Sequence, residues 1–364
     1  MNFGAPALAA RVIAWQRRHG RHALPWQRTR DPYRVWLSEI MLQQTQVTTV
    51  LGYYQRFLEQ FPDVSALAAA PADEVLALWA GLGYYSRARN LHRCAQAVVA
   101  EHGGRFPRSA AALATLPGIG RSTAAAIAAF CFDERVAILD GNVKRVLTRA
   151  LGFGEDLAIV RHERALWARA EAMLPPSDGM VAYTQGLMDL GATLCSQRAP
   201  RCAACPLADD CVARREGRPE DYPVKTRKLK RGQRTIALLW LVQGDRVWLV
   251  RRPASGIWAG LWSLPEFDSI EGVREYLAGW PGSSDEVPAF THVLTHLDLR
   301  LQPLRHALPA RARRDAALLS MWPEGRWVSR SELGAYGLPA PVAKLLTSDQ
   351  LLAAQELVDQ REPL

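Results

Sequence analysis

Leu116-Pro117-Gly118-Ile119-Gly120-Arg121-Ser122-Thr123-Ala124 joins two stretches of helical character, and how it is read decides the fold of the first two thirds of the chain. Gly118 and Gly120, one residue apart, permit a tight turn whose backbone N–H groups point outward at the start of the next helix. Such a nest holds a phosphate without reading its base. Alone, a Pro-Gly-x-Gly segment is only a turn. Downstream, Asp140-Gly141-Asn142 follows the apolar run Val136 to Leu139 and opens a helix with apolar positions Val143, Val146, Leu147 and Ala150. In the plain reading Asn142 caps that helix and Asp140 makes a local turn. The helix dipole also keeps a carboxylate at this place ionised, which suits a group that must face a cation.

Outward from the turn the pattern stays helical. PADEVLALWAGLGYYSRARNLHRCAQAVVAEHG (71–103) and RSTAAAIAAFCF (121–132) carry apolar residues at spacings of three and four. Pro71-Ala72-Asp73 and Pro175-Pro176-Ser177-Asp178 mark helix starts, and MNFGAPALAARVIAWQRRHG at the beginning reads as an amphipathic helix, not a signal peptide. Composition changes after Cys211. PVKTRKLKRGQR (223–234) carries basic residues and no acidic one and reads as an exposed linker. TIALLWLVQGDRVWLVRRP (235–253) predicts two strands around Gln243-Gly244-Asp245, and THVLTHLDLRLQPL (291–304) alternates like a further strand. The expected organisation is therefore a mainly α-helical region over 1–222, a basic linker over 223–234, and a smaller α+β domain over 235–364.

Length and composition agree. The 364 residues exceed one ordinary core, and 49% hydrophobic with 22% charged residues excludes wholesale disorder. No apolar run is long enough to span a membrane. Lys and Arg total 45 against 36 for Asp and Glu, a formal charge of +9, which suits a polyanionic partner because neutralised phosphates release counterions. A cytoplasmic, nucleoid-associated address follows.

Cys195, Cys202, Cys205 and Cys211 are spaced C-x6-C-x2-C-x5-C. Four thiolates this close wrap either one zinc ion or one iron–sulfur cluster, and the long gaps flanking a single C-x2-C favour the bulkier cluster. Cys94 and Cys131 lie in alanine-rich helical sequence and read as inert core residues.

Glu39 is the candidate acid. Its helical neighbours are Val35, Trp36, Leu42 and Gln43, with Leu37, Ile40 and Met41 in adjacent directions, so the segment is too apolar for a solvent face. Helical glutamates are usually solvated and idle. This one is either buried at a cost or placed at a cleft, where desolvation raises a carboxyl pKa and leaves it able to donate a proton.

LPGIG, the aspartate after it and the four-cysteine loop together resemble the helix-hairpin-helix DNA glycosylases that carry an iron–sulfur cluster. Within that superfamily VWLSEIMLQQTQV (35–47), GLGYYSRARNLH (81–92) and LDGNVKRVL (139–147) resemble the adenine DNA glycosylases of the MutY type. The resemblance implies a 4Fe–4S cluster on the four cysteines and double-stranded DNA with A:8-oxoguanine or A:G mispairs as partner. It implies that Glu39 protonates the adenine and handles the attacking water, that Asp140 faces the oxocarbenium-like sugar, and that Asn142 positions groups around it; one neutral and one ionised carboxyl at one bond is the division of labour of glycoside hydrolysis. Gln44 and Tyr84 would enter the base stack once the nucleotide is flipped out. Tyr84 and Tyr85 precede Ser86-Arg87-Ala88-Arg89, a combination that suits a DNA-facing helix end. Ser122 stands where strand-cutting relatives carry the lysine of a Schiff base, so base removal without an efficient lyase step is expected, with Lys144 as a phosphate contact.

GLWSLPEF (260–267) and the hairpin before it resemble a Nudix fold. GVREYLAGW (272–280) keeps only Glu275 where an active Nudix hydrolase needs several glutamates for magnesium, so pyrophosphohydrolase activity is not expected. In the glycosylase family this domain recognises 8-oxoguanine through a short loop of aromatic, hydroxyl and histidine. Leu294-Thr295-His296 matches it here, with leucine for the aromatic, while Thr295 and His296 keep hydrogen-bonding groups. A monomer is expected. The alternatives are an endonuclease III-like glycosylase/lyase, opposed by Ser122 and the second domain, and a non-catalytic iron–sulfur DNA-binding module, opposed by the presence of both Glu39 and Asp140.

Overall fold

The computed structural model describes residues 5–226 and 231–347; the first four residues of the amphipathic start and residues 227–230 of the basic linker lie outside them. The chain forms two compact units, Met1–Ala69 with Asn90–Lys228, and Ala70–Arg89 with Leu229–Leu364. The second unit thus takes in Ala70–Arg89, which the sequence pattern counts with the helical region. Tertiary contacts explain this. Asp73 accepts from Arg251 Nη2 at 3.0 Å and from Trp262 Nε1 at 3.3 Å, and the Tyr85 hydroxyl donates to the Leu338 carbonyl at 3.0 Å. None of these partners is within reach of a local sequence pattern.

The helices in chain order are α1 (Ala5–His19), α2 (Pro32–Leu42), α3 (Val47–Gln60), α4 (Val64–Ala69), α5 (Ala72–Trp79), α6 (Ser86–His102), α7 (Ala110–Leu113), α8 (Arg121–Phe132), α9 (Gly141–Leu151), α10 (Val160–Ala172), α11 (Met180–Thr193) and α12 (Val212–Arg215). Of these, α5 and the first turn of α6 belong to the second unit. In the first unit α8 is central: Ala124 to Ala129 are fully buried, and α2, α7 and α11 pack on it. A helix apolar on every side belongs inside, and methyl side chains let its neighbours approach closely. The asparagine that opens α9 makes a second close approach. A Cβ on Gly191 of α11 would lie 2.5 Å from Asn142 Cβ and 3.0 Å from its Cα.

The second unit carries β1 (Gly232–Gln243), β2 (Arg246–Arg251), β3 (Trp262–Ser263), β4 (Glu266–Phe267), α13 (Ile270–Tyr276), β5 (Ser283–Glu286), β6 (Phe290–Val293), β7 (Leu297–Ala307), α14 (Asp315–Met321), β8 (Arg326–Ser329) and α15 (Ala340–Thr347). The sheet runs β3-β2-β1-β7-β5, with β4 on β1, β6 on β7 and β8 on β2. β1 and β7 are parallel from Gly232 opposite Leu297 to Val242 opposite Ala307, and the core includes Leu239, Leu241, Trp248, Val273 and Leu318. The expected hairpin around Gly244 is β1–β2, with Gly244 at φ +61°. The single strand expected over 291–304 is instead a hairpin. β6 and β7 pair antiparallel, Val293 opposite Asp298, and the Leu294 N–H closes the turn on the Leu297 carbonyl at 2.8 Å. Alternation continues on both sides of this turn, which is why the sequence pattern conceals it.

Gly191→Ala forces a methyl group into the α9–α11 contact, so it lowers stability by about 1–3 kcal/mol, the usual cost of overpacking. A lower urea midpoint with an unchanged m value measures this.

Candidate active site

A cleft of about 1630 Å³ opens in the first unit, and Glu39, Ser122, Asp140 and Asn142 all line it. Glu39 reaches it from α2, whose start is fixed by Asp31 accepting from the Tyr33 N–H at 2.9 Å and by Pro32 in the first turn. Val35, Trp36, Leu37, Ile40 and Met41 around Glu39 are buried, so its carboxyl touches the cleft while protein crowds it from the other sides. Burial pushes its pKa up to about 8, and the Asp140 charge adds to the effect.

Asp140 is the N-cap of α9 and accepts from the Val143 N–H at 2.7 Å. Burial raises its pKa too, opposed by the Val143 and Asn142 N–H groups and by the Arg145 and Lys144 charges. Glu39 has no such donors, and the Asp140 charge is already present when Glu39 titrates, so the pair ionises in order, Asp140 first. The cleft therefore holds two carboxyls of unlike environment, of which Asp140 takes up its charge before Glu39 does.

Their surroundings are held from behind. Ser122 Oγ accepts from the Leu139 N–H at 3.0 Å, fixing the residue before Asp140. Asn142 Oδ1 accepts from Arg145 Nη2 at 2.8 Å, and the same guanidinium donates to the carbonyls of Gly191 and Cys195, both at 2.7 Å. Lys144, expected as a phosphate contact, pairs with Glu163 on α10 and remains partly exposed. In the hairpin, Gly118 has φ +76° and passes so close to Asn90 that a Cβ would lie 2.6 Å from Asn90 Cβ. Gly120 faces open space, and no side chain caps α8 there, leaving its first N–H groups presented outward. Gln44, at the turn after α2, is exposed at the cleft with φ +59°.

Cys195, Cys202, Cys205 and Cys211 line one small cavity with Leu190, Leu194 and Leu207. Arg149, buried, donates to the carbonyls of Ser196 (2.7 Å) and Gln197 (3.0 Å) and lies 3.4 Å from Cys195 Sγ. Burial pushes the Cys205 thiol up to about 11 and raises Cys211 as well. Among the described residues no three His, Cys, Asp or Glu side chains are grouped closely enough to hold a metal ion; the four thiols line one small cavity with apolar walls and an arginine at its rim, and as a donor set four thiols fit a thiolate-bound metal group. Cys94 and Cys131 are buried elsewhere, each thiol pushed up to about 12 by burial.

In the second unit Tyr84 and Thr295 meet: their hydroxyl oxygens are 2.8 Å apart, and both residues are exposed. His296 is exposed beside Thr295 at the β6–β7 turn. His292 faces the Trp258 ring at 6.0 Å, and burial lowers its pKa. Tyr85 is buried. Arg87 and Arg89, expected on a DNA-facing helix end, turn inward: Arg87 is 8% exposed, and Arg89 donates to the Ala259 carbonyl at 2.7 Å.

The family model of HhH-GPD superfamily base excision DNA repair proteins matches residues 37–170, and that of the NUDIX domain matches 237–348. The adenine DNA glycosylase of Buchnera aphidicola subsp. Acyrthosiphon pisum is 34% identical over 341 residues, covering 92% of this chain and 95% of that protein. The chain belongs to the adenine DNA glycosylase family. The human adenine DNA glycosylase is 31% identical over 408 residues, covering 93% of this chain and 73% of that protein. A solved thermostable thymine-DNA glycosylase superposes with a TM-score of 0.52 at 28% identity, over 58% of this chain and 97% of its own.

For an adenine DNA glycosylase the gathering of Glu39, Asp140, Asn142 and Ser122 in one cleft is the central geometric fact. The sequence reading missed Arg145 and Arg149, which tie α9 to the cysteine loop, and Arg21 and Gln185 at the cleft, both bonded to buried Asp189. Two arginines four apart on α9 give little local signal, because the carbonyls that accept from them lie about fifty residues away.

On the expectation that Glu39 is the proton donor, base removal should fall as pH rises through about 8, where its carboxyl loses its proton. Glu39→Gln should cut the single-turnover rate by about 10²–10⁴. The folded-state pKa of Glu39 lies above its ordinary 4.5, so the native protein holds this proton more tightly than the unfolded chain does. Its contribution is full below about 4.5 and lost towards 8; Glu39→Gln should therefore flatten the fall in thermal stability over that range.

Proposed function

We propose that this glycosylase removes adenine paired with 8-oxoguanine, and more slowly adenine opposite guanine, by hydrolysing the N-glycosidic bond without an efficient lyase step. The observation that carries the specificity is the 2.8 Å approach of Tyr84 Oη to Thr295 Oγ1. The family resemblance implies a DNA-facing role for each, and they form one exposed pair of hydroxyls. 8-Oxoguanine offers an N7–H donor where guanine offers an acceptor, and a hydroxyl with its own donor already engaged is suited to accept from it. His296 supplies a second polar group at the same turn.

In the reaction, the duplex is held by phosphate contacts, including the N–H groups at the start of α8, and the adenosine leaves the stack. Gln44 enters the stack as the base leaves. Glu39, protonated, donates to the departing purine and then, as a carboxylate, takes a proton from the attacking water. Asp140 stabilises the positive sugar carbon, and Asn142, fixed by Arg145, orders the groups beside it. Ser122 offers no amine, so no Schiff base forms there; its hydroxyl braces Leu139 instead. The four cysteines would hold a 4Fe–4S cluster, which when bound supplies a cross-link fixing the loop that Arg145 and Arg149 join to α9. The protein acts as a monomer on double-stranded DNA. Among the described residues no helix is long and apolar enough to cross a membrane.

Single-turnover incubation with duplexes carrying A, C or T opposite 8-oxoguanine or guanine, followed by alkali, tests the reading. Cleavage only at A, faster opposite 8-oxoguanine, is expected; equal rates opposite both bases refute the specificity. Borohydride trapping of a protein–DNA adduct as efficient as base removal would refute monofunctional hydrolysis. The purified protein should be brown and contain iron, and Cys205→Ser should lose both colour and iron; a colourless protein containing zinc would refute the cluster.

A further inference from the structure

Arg87 occupies a place that a phosphate-binding arginine would not. Its guanidinium lies over the Trp79 ring (5.3 Å) and the Tyr84 ring (5.5 Å). Its Nη2 donates to the carbonyls of Leu82 at 3.1 Å and Gly83 at 3.2 Å. Gly83 also accepts from Trp79 Nε1 at 3.1 Å, and the Arg87 N–H donates to the Tyr84 carbonyl at 2.8 Å. The Arg87 side chain therefore engages the Leu82 and Gly83 carbonyls, and its backbone N–H engages that of Tyr84.

The turn so held is strained. Gly81, Gly83 and Tyr84 have φ of +97°, +71° and +48°, and a tyrosine in left-handed backbone persists only where its surroundings enforce it. Tyr84 is nonetheless 44% exposed, so burial of its ring does not enforce that geometry; the bonds to the backbone do. Burial lowers the Arg87 pKa only to about 10, so the cation persists at neutral pH.

We propose that Arg87 is a positioning residue for reading the base opposite adenine: it locks the Leu82–Tyr84 turn and thereby sets the register of the Tyr84 hydroxyl against Thr295. This rests on the reading that Tyr84 and Thr295 meet 8-oxoguanine. Arg89 braces the neighbouring loop through Ala259, beside Trp258, itself at φ +55° and facing His292 of β6. The two arginines of the Ser-Arg-Ala-Arg segment thus serve the recognition hairpin and not the DNA backbone. Lysine is a poor substitute for Arg87, because a compact, strongly hydrated ammonium lacks the planar face that lies against the Trp79 and Tyr84 rings.

The test uses the full chain and compares single-turnover rates, at subsaturating enzyme, on A:8-oxoguanine and A:G duplexes for Arg87→Lys, Tyr84→Phe, Thr295→Val and the Arg87→Lys/Thr295→Val double variant, with thermal unfolding of each. The A:8-oxoguanine over A:G ratio should fall about tenfold in Arg87→Lys. The double variant should fall no further than the worse single one, because both act through one contact. If Tyr84→Phe and Thr295→Val leave the ratio unchanged, the base-reading pair itself is wrong. If they lower it while Arg87→Lys does not, or if the double variant is additive, the positioning role is overturned. Should Arg87→Lys fail to fold, Arg87→Gln, which retains one donor, is measured in its place; loss of fold in both assigns Arg87 to the framework alone and also overturns the proposal.

Discussion

One interaction organises the catalytic side of the molecule: Asp140 caps α9 by accepting from the Val143 N–H while its carboxylate stands in the same cleft as Glu39. The cap fixes the direction of the carboxyl group; burial raises its pKa, and the N–H groups of the helix start together with the Arg145 and Lys144 charges oppose that rise. The Asp140 charge in turn helps keep Glu39 protonated. A local rule of helix ends and a long-range electrostatic requirement are met by a single side chain. Ser122 behind Leu139, Arg145 behind Asn142 and Gly191 beneath it all serve to hold that side chain's segment in place.

Arginine does much of the holding. Arg145 and Arg149 on α9, and Arg87 and Arg89 at the start of α6, each spend their donors on backbone carbonyls of loops. Loops rich in turns leave carbonyls without partners from regular structure, and a planar group with five donors satisfies several at once. Part of the formal charge of +9 is therefore internal scaffolding and not a footprint for DNA. Net charge correctly suggested a polyanionic partner but could not say which arginines meet it.

Backbone strain falls where base contact is proposed. Gln44 and Tyr84 are two of only five non-glycine residues with positive φ among those described, and Trp258, near the recognition hairpin, is a third. Such conformations are held by surrounding bonds, which for Tyr84 are now explicit.

The sequence determined the helical identity of α2, α8 and α9, the hairpin at Gly118 and Gly120, the β1–β2 pair and the metal-type spacing of the cysteines, because each of these is written in periodicity, capping and turn chemistry over a dozen residues or fewer. It also placed Glu39 in an apolar wall, since helical neighbours are fixed by spacing alone. Only the tertiary structure decided that Ala70–Arg89 belongs with the C-terminal unit, that residues 291–304 break into a hairpin exposing Thr295, and that Arg87 and Arg89 face protein. The reason is physical. A side chain's partner across many residues of chain is chosen by packing and by unsatisfied carbonyls elsewhere, and neither leaves a periodic trace near the residue itself.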